Sequence, residues 1–306
     1  MYFVVQFGRS PRTVVRLIVG QAQRSGQCQT VPMPDPTSSA GADFQAMERH
    51  GWEKAAAAYG FFGRATCLVI PHVLTAARVK RGTRLLDLAA GPGHLAAEAR
   101  RRGGRAVAAD RSHAMTRVLV ATHGDLPVVQ TDGMALPFAD ATFDAVAAAF
   151  YLNHLDDPAG GLAEMHRVTR PGGWIATAVW DRPERARLNG LIAEAVARAG
   201  AGSAVPGPEH PLPEDETGLL HLLRAAGFSR PEARLVQGSL TISDPAELLE
   251  GLAGSTVRTA ALLRGHSDHD VRRIRDELAR GCEPYRSGDQ LHIPVAAVIL
   301  AGQRHE

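Results

Sequence analysis

The sequence predicts an α/β protein built on a doubly wound, mainly parallel sheet, and two observations carry that expectation. Residues 85–96, LLDLAAGPGHLA, read as a buried strand (Leu85, Leu86, Leu88), a glycine-rich turn and the first turn of a helix from His94. Behind that unit, short apolar runs alternate with helix-like segments, the pattern of repeated strand–helix–strand units. The chain has 306 residues, 45% of them hydrophobic, enough for a large core in one elaborated domain or two small ones.

Residues 1–42 stand apart. Up to Pro34 the chain holds Arg9, Arg12, Arg16 and Arg24 and no acid, and the run from Val14 to Val19 is too short for a secretory apolar region. Pro32, Pro34, Pro36 and the Ser-Ser-Ala-Gly run after them read as linker. The expectation is a disordered extension with Met33 as the physiological start, an organellar transit peptide being the alternative. From Asp43, a capping residue, a helix is expected through His50 and the alanine-rich stretch 52–59. Gly60 to Gly63 break it, and a second helix spans 66–77, so that 43–80 form a helical unit ahead of the sheet.

The core, 81–182, follows in order. Strand one is succeeded by a helix at 95–102 and a strand at 106–109 ending on Asp110. A helix capped by Ser112 runs to about His123, and a third strand covers 128–131. A fourth strand begins near Phe143 and a fifth spans 174–180. Helices at 188–199 and 217–226 flank a Gly/Pro-rich loop, 200–213, placed at the substrate mouth. In the remainder of 183–290 a sixth strand (232–241) and helices at 245–263 and 269–281 are expected, and 291–306 hold the last strand and tail.

Composition narrows the function. The formal charge is +2, and only Lys54 and Lys80 of 34 basic residues are lysines, so nothing drives the chain toward nucleic acid. Cys28, Cys67 and Cys282 form no C-x-x-C pair, and no H-E-x-x-H spacing occurs, so neither a disulfide framework nor a metal site is expected. No apolar run reaches the length of a membrane span. The expected setting is cytoplasmic and free of membrane. Oligomeric state, a homodimer included, stays open.

The turn after strand one admits two readings. As Gly91-x-Gly93-x-x-Ala96, with Asp110 about twenty residues on, it satisfies the dinucleotide fingerprint of a nicotinamide oxidoreductase. As Asp87-x-Ala89-x-Gly91-x-Gly93 it resembles motif I of the class I S-adenosylmethionine (SAM) methyltransferases, with Ala89 where the first glycine usually stands. Pro92 has no N–H to offer a pyrophosphate, which matters less for a cofactor without phosphates. Residues 131–138 (TDGMALPF), 140–146 (DATFDAV) and 164–173 (EMHRVTRPGG) decide between them. They resemble, in order and spacing, the "GDAxxLPF", "DxxFDxV" and "ExxRVLxPGG" segments of that family. The chain is identified as a member of the class I SAM-dependent methyltransferases, small-molecule type, similar to the ubiquinone/menaquinone C-methyltransferase group, over about residues 43–303.

The resemblance implies a Rossmann-like seven-stranded sheet with an antiparallel last strand, an N-terminal helical lid and a helical insertion before that strand. It implies SAM as cofactor. Asp87 would anchor its methionine end beside Ala89, Gly91 and Gly93, and Asp110 would bind the ribose hydroxyls, with Arg111 and Met115 beside it. Asp132, Gly133 and Met134 would meet the adenine, and Phe150 would wall the site. The implied reaction is methyl transfer to an O, N or C nucleophile of a small molecule. The candidate walls Trp52, Tyr59, Phe62, Phe150 and Tyr151 favour an apolar or aromatic acceptor, and Asn153 offers it a polar contact. His154 is the placed candidate for a base, with a structural role as the alternative. A non-methylating catalyst of the cyclase or pericyclase type could use the same frame.

Overall fold

Eight strands, one of them two residues long, form one sheet in the computed structural model, which describes residues 39–202 and 205–305. The strands are β1 (Arg84–Leu88), β2 (Arg105–Asp110), β3 (Val128–Gln130), β4 (Phe143–Ala149), β5 (Thr169–Trp180), β6 (Phe228–Ile242), β7 (Arg286–Ser287) and β8 (Gln290–Arg304). Their order is β3-β2-β1-β4-β5-β8-β6, with β7 paired to β8. Pairing is parallel from β3 to β5, and β8 runs antiparallel between β5 and β6. The seven strands other than β7 match the expected sheet. The short β7 hairpin is an addition that the sequence did not signal.

The order reverses at β1, whose neighbours are β2 and β4, and such a switch point opens a crevice at the carboxyl ends of the strands. Leu85, Leu86 and Leu88 of β1 are buried, as a central parallel strand covered on both faces requires. One face is covered by α3 (Ile70–Ala76) and α4 (His94–Arg101), the other by α6 (Pro158–Val168) and α8 (Glu216–Ala225). A third cluster packs α7 (Arg187–Arg198), α9 (Pro245–Ser255) and α11 (Asp268–Cys282) onto the far ends of β6 and β8. No single helix among the described residues is long and apolar enough to cross a membrane.

Three expectations about the helices change. Helix α1 (Ser39–Ala55) begins four residues before Asp43, so Ser39 to Gly41 are helical and Asp43 lies inside the helix instead of capping it. The reason is tertiary: Phe44 is fully buried, and Gly41 passes so close to Asp156 that an added Cβ would lie 2.5 Å from Oδ2. The expected extension up to residue 38 falls outside the described residues. Gly60 to Gly63 do not end helical structure, because α2 (Gly60–Thr66) starts there with Phe62 buried. The single helix at 245–263 is two, α9 and α10 (Val257–Arg264). Thr256 between them is extended (φ −131°, ψ 150°), its Oγ1 donating to the Leu252 carbonyl. Helix α1 crosses α10 at Gly51, where any side chain would run into Val257.

Candidate active site

The turn between β1 and α4 holds three residues in the left-handed region: Ala89 (φ 54°), Gly91 (φ 52°) and Gly93 (φ 88°). An added Cβ at Gly93 would lie 2.7 Å from Leu119 Cγ, so only glycine fits there. Ala89 keeps its Cβ in a conformation that costs an L-residue about 1 kcal/mol. Two carboxylates hold this turn. Asp87 Oδ2 accepts the Ala96 N–H (2.8 Å) from beneath. Asp110, at the tip of β2, accepts the Gly91 N–H on Oδ2 (2.7 Å) and the Ser112 N–H on Oδ1 (2.8 Å).

Their surroundings set their charge. Burial pushes the Asp87 carboxyl up to about 8, the nearby charge of Asp110 adding to it against the lowering by the Ala96 N–H. Burial also raises Asp110, while its backbone donors oppose the rise.

Over the switch point opens a cleft of about 890 Å³, its mouth included. Ala89, Gly91, Asp110, Arg111 and Met115 line it from the β1 and β2 side, and Asp132, Gly133, Phe150 and Tyr151 from the β3 and β4 side. Arg111 Nη1 donates to Gln45 Oε1 of α1 (3.2 Å), and its Nη2 lies 3.8 Å from Asp132 Oδ2. Phe150 is left-handed (φ 67°), a conformation a bulky residue keeps only when its surroundings enforce it; its ring stacks on Trp180 at 4.0 Å.

Three of the residues expected at the cofactor lie elsewhere. Asp87 is 1% exposed beneath the turn and does not reach the cleft, because its length is spent on the Ala96 N–H. Gly93 is the helix cap, packed on Leu119. Met134 points outward at 38% exposure, its N–H donating to Asp132 Oδ1. Asn153, expected beside the acceptor, faces a second cavity, its Oδ1 accepting the Trp180 N–H (3.3 Å). Tyr151, expected at the acceptor, sits in the cofactor cleft beside Gly133. An added Cβ at Gly133 would lie 2.5 Å from the Tyr151 hydroxyl.

Do these residues fit an adenosyl ligand? Tyr151 lines the cleft, and its buried hydroxyl has no hydrogen-bond partner among the described residues, so a polar group is called for there. Asp110 retains lone pairs on both oxygens after its two backbone bonds, as a pair of vicinal hydroxyls requires. Ala89 and Gly91 present backbone where side chains would obstruct. The donor set fits SAM.

The second cavity, about 1440 Å³ with its solvent-open part, lies beneath α1, α7 and α10. Its walls include Phe62, Trp180, Ile192, Val196 and Leu262. The cleft and this chamber share four residues: Glu48, Trp52, Phe62 and His154. Trp52 thus borders both cavities, whereas Tyr59 lines the cleft alone. His154 Nδ1 lies 3.0 Å from Glu48 Oε2, and its ring meets Trp52 edge-on at 5.0 Å. Glu48 and Arg258 belong to no motif, whereas Phe62 is among the expected walls. The one sequence signal was Glu48 standing four residues before Trp52 on a helix, which places both on one face. Outside both cavities, ligand atoms of Asp156, Glu209 and His210 lie within 4.8 Å of one another, the latter two residues exposed.

Comparison with known proteins agrees with this geometry. Residues 86–177 match the family described as "Methyltransferase domain". A demethylmenaquinone methyltransferase from Mycobacterium sp. (strain KMS) is 34% identical over 191 residues, 59% of this chain and 79% of that protein. One from Corynebacterium urealyticum is 47% identical over 102 residues, 33% of this chain and 44% of that protein. The chain thus spans less than half the length of that second relative. Among solved structures, the YcgJ protein of Bacillus subtilis has a TM-score of 0.52 at 17% identity, over 78% of this chain and 98% of that one. A Haemonchus contortus phosphoethanolamine N-methyltransferase, solved with phosphomonomethylethanolamine and S-adenosylhomocysteine, has a TM-score of 0.52 at 15% identity, over 90% and 62%. These two structures share the fold, and the Mycobacterium sequence carries the kinship: the chain belongs to the class I SAM-dependent methyltransferases.

Proposed function

We propose that the protein transfers the methyl group of SAM to a small apolar or aromatic acceptor seated in the chamber beneath α1. The observation that carries this reading is the seam, where Glu48, Trp52, Phe62 and His154 border cleft and chamber at once. SAM supplies an already activated methyl group, so the protein's main task is to bring a nucleophile into line behind it.

Each residue then has a task. Asp110 binds the ribose hydroxyls with the lone pairs left free by Gly91 and Ser112. Asp132 and the Tyr151 hydroxyl meet the adenine end, and the Ala89 and Gly91 backbone lies against the methionine end. Trp52, Phe62 and Trp180 grip an apolar acceptor and exclude water, and His154 takes a proton from it. The name of the similar proteins, demethylmenaquinone methyltransferase, supports an aromatic acceptor. A cytoplasmic location and a small molecule as the acceptor belong to the same reading.

Calorimetry with SAM and with NADH, followed by assay of S-adenosylhomocysteine formation with 1,4-naphthohydroquinone under reducing conditions, tests it. SAM binding and S-adenosylhomocysteine release are expected. NADH binding without SAM binding would overturn the reading, as would acceptor conversion without S-adenosylhomocysteine, the mark of a cyclase-type catalyst.

A further inference from the structure

Glu48 is 1% exposed, yet its carboxylate is crowded with donors. Oε2 accepts from Trp52 Nε1 (2.8 Å) and faces His154 Nδ1, while Oε1 accepts from Arg258 Nε (3.2 Å). Arg258 also donates from Nη2 to the Asn153 carbonyl (2.7 Å), bracing the backbone that carries His154. Burial alone would raise the Glu48 carboxyl. The charges and hydrogen bonds of His154 and Arg258 outweigh it and hold the group below the usual range.

An ionised carboxylate only accepts, so the proton of a neutral His154 ring must sit on Nδ1, and the lone pair falls to Nε2. Nε2 makes no hydrogen bond within the described residues, and the ring borders both cavities. Trp52, edge-on at an interplanar angle of 84°, fixes the plane of the ring.

We infer that Glu48 is a positioning residue: from α1 it fixes the Nδ1–H tautomer of His154 and directs Nε2 at an acceptor that must lose a proton to react. The inference rests on the methyl-transfer reading and names its acceptor class, a phenolic or enolic hydroxyl compound, hydroquinones included. His154 Nε2 takes the hydroxyl proton, and the O–H electron pair stays on oxygen. The oxygen, or a ring carbon conjugated to it, bonds the methyl carbon as the C–S bond breaks with its pair retained on sulfur. Attack through carbon is completed by loss of that carbon's own proton to solvent. Amine acceptors fit poorly, since Glu48 is the only carboxylate among the described residues lining the chamber and it is engaged by three side chains.

The test uses the full chain, labelled with ¹⁵N-histidine and saturated with S-adenosylhomocysteine, with His154 assigned by loss of its signals in His154→Gln. In the neutral ring of the wild type, Nδ1 is expected to carry the proton. Glu48→Leu should shift the ring toward the Nε2–H form, whereas Glu48→Gln, whose amide oxygen still accepts, should hold it. With 1,4-naphthohydroquinone, kcat should fall about 100-fold or more in Glu48→Leu and His154→Gln, with SAM affinity within twofold of wild type. Glu48→Gln should lie between.

An Nε2–H ring in the wild type would overturn the inference. So would an unchanged kcat in Glu48→Leu, or equal losses in kcat and SAM affinity in both Glu48 variants, the mark of a merely structural role. The tautomer is read without turnover, so failure of the pair and failure of methyl transfer are distinguishable.

Discussion

The turn beneath the cofactor cleft and the seam under helix α1 each bury one carboxylate, to the same 1% exposure, and their carboxyl pKa values move in opposite directions. Asp87 has one neutral backbone donor and a neighbouring acid, and its carboxyl rises to about 8. Glu48 has an imidazole, a guanidinium and an indole N–H, and it falls below its ordinary value. Burial is common to both; the partners differ. Depth in the protein therefore does not decide which buried acid is an anion, and the pairing does.

That contrast can be broken most forcefully at Asp87. A folded-state value near 8 against an ordinary 3.8 means that folding takes up a proton between those limits, so stability falls as pH rises through the window and levels off above it. The expected loss is roughly 6 kcal/mol. Asp87→Asn, which still accepts from Ala96, should remove the slope, and denaturant titrations of both proteins across that window would show it. Next in size is Asp110→Ala, which strips partners from the Gly91 and Ser112 N–H groups and, on the proposed reading, from the ribose. SAM affinity measured by calorimetry should drop about 100-fold.

Ala193 lies exposed at the wall of the chamber, on α7, so Ala193→Trp can fill the chamber without disturbing the core. It should raise the acceptor KM about tenfold and leave SAM affinity within twofold; equal effects on both ligands would mean that the two cavities are not separate sites. Ala89→Gly is the mildest change. Relief of its left-handed strain, partly cancelled by greater freedom in the unfolded chain, should raise stability by no more than about 1 kcal/mol in thermal melts.

The two regions also differ in how much of them the sequence discloses. The cleft is written in local segments: Ala89, Gly91, Asp110, Arg111, Met115, Asp132, Gly133 and Phe150 all fall beside strand ends, and the structure brings them together. Even here direction was hidden. A strand-end acid reads the same whether it points into the cleft, as Asp110 does, or under the turn, as Asp87 does. Met134 follows Gly133 in sequence but faces solvent.

The chamber is assembled from segments near residues 48–62, 153–154, 180–207 and 256–262, and no spacing in a single sequence records that they meet. Glu48 and Arg258 stand 210 positions apart. The same limit explains the helices. The start at Ser39 and the break at Thr256 follow from packing against Asp156 and Gly51, which local propensity does not contain.

The close crossing at Gly51 joins helix α1, which carries Glu48 and Trp52, to helix α10, which carries Arg258. A side chain at position 51 would therefore part the two helices and draw the Glu48 carboxylate from the Arg258 guanidinium, so the ion pair depends on a glycine that touches neither charge.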